Sequence, residues 1–422
     1  MKHTKKTRQS GGIFYGWYIV ASAFVILFFN AGSRFSFGVM FKPMIEDFGW
    51  SRASLSLVFF LNMAFYAFSL IVAGRLYDRY GPKWIICLST LLLSTGFMLT
   101  AFITSLWQFF VVYGVVAAMG LGGPSVSLMA AITSKWFEKL RGLAISIALA
   151  GSSLGQFILV PLVTVITLSH GWRFSYFAIG LVMLVVNIIL VVLVMRGDPD
   201  ALGKRPFGYR STEGAGEDQR GSGTRLRDLG LRDAMHTRSF WLFSTVMFVC
   251  GSGDFLVATH LIPLVTDYGI SPVTAGHMLA LFGLMSLAGL LIAGPLSDVV
   301  GNKIPIALTF LLRFLLFLLV LRYQTLGSFY VFALLFGFTL LITAPLNATL
   351  MGKLYGFSHV GLITGCITTI HHVGGGLWTY MGGLIFDQTG SYQLAFVLSA
   401  IMALTAFFSS IFIIEKRHHV VS

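Results

Sequence analysis

Two stretches of this chain, 220 residues apart, carry one short pattern: Gly74-Arg75-Leu76-Tyr77-Asp78-Arg79-Tyr80-Gly81-Pro82-Lys83 and Gly294-Pro295-Leu296-Ser297-Asp298-Val299-Val300-Gly301-Asn302-Lys303. Carried backward without a gap, the same offset pairs Pro43-Met44-Ile45-Glu46-Asp47-Phe48-Gly49 with Pro263-Leu264-Val265-Thr266-Asp267-Tyr268-Gly269. Two copies of one unit therefore built the chain, and its fold is expected to be two related halves. Each copy of the glycine pattern sits where one long apolar run gives way to the next. With 56% hydrophobic and 11% charged residues and a mean hydropathy of +0.84, the chain takes a bilayer as its solvent. Twelve runs reach the roughly 18 apolar residues that let a helix span hydrocarbon. The first, after Gly16, is too long for a signal peptide and has no small-residue cleavage site, so it is expected to stay as a span.

The net charge of +13 reports topology rather than a nucleic-acid partner, because the basic residues crowd alternate connections. Arg75, Arg79 and Lys83 share one, Lys135, Lys139 and Arg141 the next, and a run from Lys204 to Arg232 the third. The intervening loops, such as Thr104-Ser105-Leu106, are short and nearly neutral. Positive loops stay inside, which predicts cytoplasmic termini in a plasma or bacterial inner membrane. The expected plan is a cytoplasmic arm over residues 1–12, a six-helix bundle over 13–196, a polar linker over 197–236, a second bundle over 237–415 and a tail over 416–422. Within the linker, Leu226, Leu229, Leu231 and Met235 outline a weak short surface helix. Cys87, Cys250 and Cys366 lie far apart inside apolar runs, with neither disulfide nor metal spacing, and read as packing residues.

Six helices, a linker and six more in a parallel repeat resemble the major facilitator superfamily, whose signature links the second and third helices of each half. Gly74, Asp78, Arg79, Gly81 and Lys83 all fit it, whereas the copy with Gly294 and Asp298 lacks the basic residue after the acid. The resemblance implies an all-α membrane protein of twelve spans, and a latch at this motif that holds one face shut. Within the superfamily the chain looks most like the monocarboxylate transporters and the oxalate/formate group. Tyr15-Gly16-Trp17, Lys135-Trp136-Phe137 with Arg141-Gly142-Leu143-Ala144, His260-Leu261-Ile262-Pro263, and Phe386-Asp387-Gln388-Thr389-Gly390-Ser391-Tyr392 carry that likeness. The monocarboxylate pattern places an Asp and an Arg one turn apart on the eighth helix, where this chain has Ser286 and Leu290.

Of sixteen acidic residues, Asp254 alone lies well inside an apolar run, and Arg34 and Arg313 are comparably deep. A charge at the bilayer centre costs at least ~2.5 kcal/mol if it faces lipid, so each must face the protein interior, water or a partner. The 220-residue offset maps Arg34 onto Asp254. A guanidinium offers a carboxylate two parallel hydrogen bonds, and the resemblance places Arg34 where monocarboxylate transporters carry a basic residue on their first helix. Arg34 is thus the candidate anion ligand, Asp254 the candidate proton site, and Arg313 the candidate partner of Asp254. A permanent salt bridge from Asp254 to either arginine is the bland alternative. His260 is a candidate anion ligand or proton relay, with Pro263 expected to break or kink its helix. His371 and His372 point about 100° apart, so at most one of them is expected to face a cavity while the other packs. They lack ligand-spaced carboxylate or cysteine companions and are not read as a metal pair. Asn30, Asn62 and Gln156 offer hydrogen bonds to a ligand or between helices.

These readings predict a secondary transporter of a small organic anion, most simply a monocarboxylate carried together with a proton, working by alternating access without a cofactor. Anion exchange and export of larger amphipathic acids keep the fold and change the coupling. A transporter-like sensor would need a signalling domain that a linker of about 40 residues is too short and polar to form. An enzyme would need a nucleophile or metal constellation beside the buried acid, and none is legible.

Overall fold

The computed structural model describes residues 14–199, 203–209, 229–356 and 359–415, apart from the side chains of Asp78 and Asp298. Leu226 and the two chain ends lie outside these. Helix dominates because every backbone polar group in a bilayer must find its partner inside the chain. The N-terminal half comprises α1 (Tyr15–Phe48), α2 (Arg52–Tyr80), α3 (Pro82–Thr100), α4 (106–136), α5 (141–170) and α6 (172–193). The C-terminal half comprises α7 (Arg238–Asp267), α8 (Pro272–Val300), α9 (Lys303–Arg322), α10 (Leu326–Tyr355), α11 (Val360–Thr389) and α12 (Gln393–Ile411). The continuous helical tract from Arg141 to Leu193 becomes two spans at Gly171, whose φ of 83° is open to glycine and strained for other residues.

Packing repeats with the sequence. Helix α1 packs on α5 as α7 packs on α11, and α3 packs on α6 as α9 packs on α12. The halves meet along two matching seams, α5 with α8 and α11 with α2. Three spans are not continuous. Helix α1 breaks at Ser36, whose hydroxyl bonds back to the Gly32 carbonyl at 2.7 Å, a bond that bends helices. Helix α4 winds as a π-helix over Phe110–Ala117 and opens over residues 121–125, while α10 breaks after Leu340. Interior amides repair the freed carbonyls: Asn62 Nδ2 donates to Tyr113 O at 2.7 Å and Asn30 Nδ2 to Pro124 O at 2.9 Å. Helix α7, in contrast, runs through Pro263 to Asp267 without the break that is one of the two expected effects of the proline. At the linker's end, Leu231–Met235 forms one short helix and Leu229 is buried beside it.

The two faces of the molecule differ. On the face carrying the glycine motifs and basic loops, a Cβ added at Gly74, Gly142, Gly294, Gly361 or Gly365 would meet nothing within 4 Å, so the seams are splayed there. From the midplane to the far face they are shut. Gln156 Nε2 donates to Leu279 O at 3.1 Å and Ser153 Oγ lies 2.8 Å from Ser286 Oγ, so one position of the missing eighth-helix charge pair serves helix packing. A Cβ at Gly38 would come 2.8 Å from the Ala258 carbonyl.

Candidate functional site

The last turn before the break in α1 carries Arg34, which stays partly exposed at mid-depth. Its guanidinium stands 5.3 Å from the Phe35 ring centroid, 5.5 Å from Tyr66 and 5.4 Å from Phe255, a cage drawn from α1, α2 and α7. Its Nε is buried without a hydrogen-bond partner, and among the described residues no carboxylate pairs with it. On the far side, Phe35, Phe37, Phe59 and Phe255 close around a void of about 10 Å³, room for a single water at most. Arg34 is therefore a partly exposed cation held against aromatic faces, with no carboxylate partner among the described residues.

Its repeat counterpart is differently placed. Asp254 is buried, with Arg313 Nη2 2.7 Å from Oδ1. Arg313 is held in turn by Thr339 Oγ1 at 2.9 Å, Thr339 O at 3.1 Å and Cys250 O at 3.2 Å, so the pair belongs wholly to the C-terminal half. The second carboxylate oxygen faces Cys250 Sγ at 3.5 Å and His371 Nε2 at 3.9 Å. Cys250, Asp254 and His371 thus bring three metal-type donor atoms within 4.8 Å of one another. No such companions are legible in the sequence, because His371 arrives from another helix. Arg313, which also approaches Cys250 Sγ at 3.8 Å, occupies the electrostatic place a divalent cation would need.

His371 and His372 both join this region. His372 stacks edge-on against Tyr66 at 4.8 Å and places Nδ1 2.8 Å from the Thr368 carbonyl, to which it can donate, while Phe255 lies 5.7 Å from each imidazole. Phe255 therefore separates Arg34 from the two histidines, and Arg34, Tyr66, Phe255, His371 and His372 form one cluster across both halves. Asn30 and His260 are not part of it: Asn30 is spent on α4. His260 lies toward the far face with Nδ1 2.9 Å from Tyr392 Oη and Nε2 3.0 Å from Thr379 O. Gly74, Gly81 and Gly294 mark the open face, with Arg79 over the Tyr80 ring and Lys83 in the first turn of α3. Tyr66 and Phe255 carry no signal in the sequence, where an aromatic in an apolar run looks like packing.

Residues 23–265 and 242–421 match the family model of the Major Facilitator Superfamily. The chain belongs to that family of membrane transporters and is an integral, multi-pass membrane protein. It is 28% identical to the uncharacterized MFS-type transporter YcxA of Bacillus subtilis (strain 168) over 96% of this chain and 98% of the relative. It is 25% identical to human monocarboxylate transporter 11 over 93% of this chain and 82% of the relative. The oxalate:formate antiporter of Oxalobacter formigenes is 22% identical, over 97% and 94%. The fold matches a bacterial homolog of the human lysosomal transporter Spinster with a TM-score of 0.72 at 17% identity, over 95% of this chain and 98% of that one.

Proposed function

We propose that this protein is a secondary transporter of a small organic monocarboxylate, with Arg34 as the ligand of the carboxylate. The observation that carries the reading is a partly exposed guanidinium whose buried Nε has no hydrogen-bond partner and which has no carboxylate partner among the described residues. The names of the relatives, a monocarboxylate transporter and an oxalate:formate antiporter, support the same substrate class. Two parallel hydrogen bonds from Arg34 would replace water on the carboxylate, and the Phe35, Tyr66 and Phe255 rings would take a short organic tail. Positive-inside loops support a cytoplasmic basic face, which makes the arrangement described here inward-open. Alternating access then follows from rocking the halves around this midplane site. The latch on the cytoplasmic side would engage Asp78 and Arg79 when Gly74 and Gly294 come under cover.

For coupling, the Asp254 oxygen that faces His371 is the proposed proton site: it has a second titratable group 3.9 Å away and is not the oxygen nearest Arg313. A second reading, anion exchange, is favoured by the Arg313 pair, which leaves Asp254 neutralised without a proton. Purified protein in liposomes, offered lactate, pyruvate, oxalate, formate and aromatic acids under an imposed pH gradient, separates the two. Symport predicts concentrative uptake driven by the gradient; exchange predicts counterflow insensitive to it. No saturable flux of any carboxylate would refute both.

A further inference from the structure

The duplication leaves one acid on the far face without its partner. In the N-terminal half, Asp47 is ion-paired by Arg173 and accepts a 3.2 Å hydrogen bond from Trp172 Nε1, which ties α1 to its own bundle. The 220-residue offset carries Asp47 to Asp267, Trp172 to Tyr392 and Arg173 to Gln393. Gln393 has no charge to give, and a cavity of about 250 Å³ stands where Asp267, Tyr392 and Gln393 meet.

Asp267 turns instead to the opposite half. Arg52, at the start of α2, donates to it in fork geometry, Nη1 to Oδ2 at 2.8 Å and Nη2 to Oδ1 at 3.0 Å, and Lys42 Nζ reaches Oδ1 at 2.6 Å. Arg52 Nη1 also donates to Tyr392 Oη at 2.8 Å, and its guanidinium lies 3.5 Å over the Phe386 ring. Asp387 accepts the backbone N–H groups of Arg52 at 3.1 Å and Ala53 at 2.7 Å, where the first amides of α2 are unpaired and favour an anion. One side chain thus joins α2 to α7, to α11 and to Tyr392 at the cap of α12. A bidentate arginine pair is directional and strong, and at 11% and 26% side-chain exposure for Arg52 and Asp267 it is wet enough to part and re-form.

We propose that Arg52 is the hub of a lock that holds the far face shut and opens when that face must admit solute, and that His260 positions this lock rather than binding the transported anion. With Arg52 donating to Tyr392 Oη, the tyrosine O–H is free to donate to His260 Nδ1, and His260 Nε2–H then donates to the Thr379 carbonyl. The proposal needs a fold that alternates between faces and nothing about the substrate, so it stands or falls separately from the role of Arg34.

The test is a distance across the far face in the full chain, reconstituted in lipid, with the partly exposed Cys87 and Cys366 changed to serine and spin labels at exposed Thr104 and Gly327. Arg52→Gln should raise the ratio of long to short distances about fivefold, the change expected for one partly exposed ion pair. Asp267→Asn should do the same and supplies the reading should Arg52→Gln fail to fold. Arg52→Asp combined with Asp267→Arg should bring the short distance back, and Arg173→Gln, within one half, should leave it alone. A wild-type distribution in every folded single variant of Arg52 and Asp267, or an equal shift in Arg173→Gln, would overturn the lock.

Discussion

Arg34 and Asp254 occupy equivalent places in the two halves, yet one charge is neutralised by its own bundle and the other is not. The difference lies on the third helix of each repeat. Arg313, the partner of Asp254, corresponds by the 220-residue offset to Leu93, a buried apolar residue. The repeat therefore places opposite charges at equivalent positions, and Arg313 against Leu93 leaves the C-terminal charge balanced within its own half while Arg34 has no carboxylate partner among the described residues. The far face repeats the lesson: Asp47 keeps Arg173, Asp267 has lost its counterpart to Gln393, and the unpaired acid became the link between halves. In both places the proposed functional contact lies where the pseudo-symmetry is broken.

The largest effect should come from breaking the buried pair. Arg313→Leu strands Asp254 and should destabilise the protein by about 3–5 kcal/mol, seen as a lowered Tm in detergent. The double variant Arg313→Leu with Asp254→Leu, which makes the C-terminal half apolar at these positions, should recover most of that Tm. Failure to recover would mean that the pair does more than neutralise itself. Next in size is Asp254→Asn: it should remove the response of net uptake to a pH gradient while labelled-for-unlabelled exchange persists. Concentrative, gradient-driven uptake in a stable Asn variant would exclude Asp254 as the proton site. The smallest stability change belongs to Gly74→Leu, since the position is open here. Its stability should stay within about 0.5 kcal/mol of wild type, while transport falls because the basic face cannot close over the added side chain; undiminished transport would argue against a latch at that motif.

Much of this architecture was legible because a bilayer imposes strong rules. Twelve apolar runs and a gapless offset yield twelve helices in two halves, and charges as deep as Arg34, Asp254 and Arg313 cannot be incidental. What stayed hidden depends on tertiary contact. The π-helical turn of α4 looks like ordinary helix, since its freed Tyr113 carbonyl is satisfied by Asn62 from α2. Arg52 reads as one more charge at a helix end until Asp267 and Asp387 arrive from 215 and 335 residues away. His260 drew notice as a titratable side chain within a span, but its place six residues beyond Asp254 on α7 carries it away from the midplane and into the far-face contacts. Cys250 read as packing because its value as a neighbour depends on His371.

Arg34, a deep cation with no carboxylate partner among the described residues, is the centre of the proposed transport site. Direct binding of a carboxylate panel to detergent-purified protein, by isothermal titration calorimetry, tests it on wild type, Arg34→Lys and Arg34→Gln with Tm recorded for each. The Arg34→Lys variant should bind the acid that wild type selects more weakly, because the charge remains and the fork geometry is lost. The Arg34→Gln variant should show no binding at an unchanged Tm. Wild-type affinity in a folded Arg34→Gln variant would contradict the account.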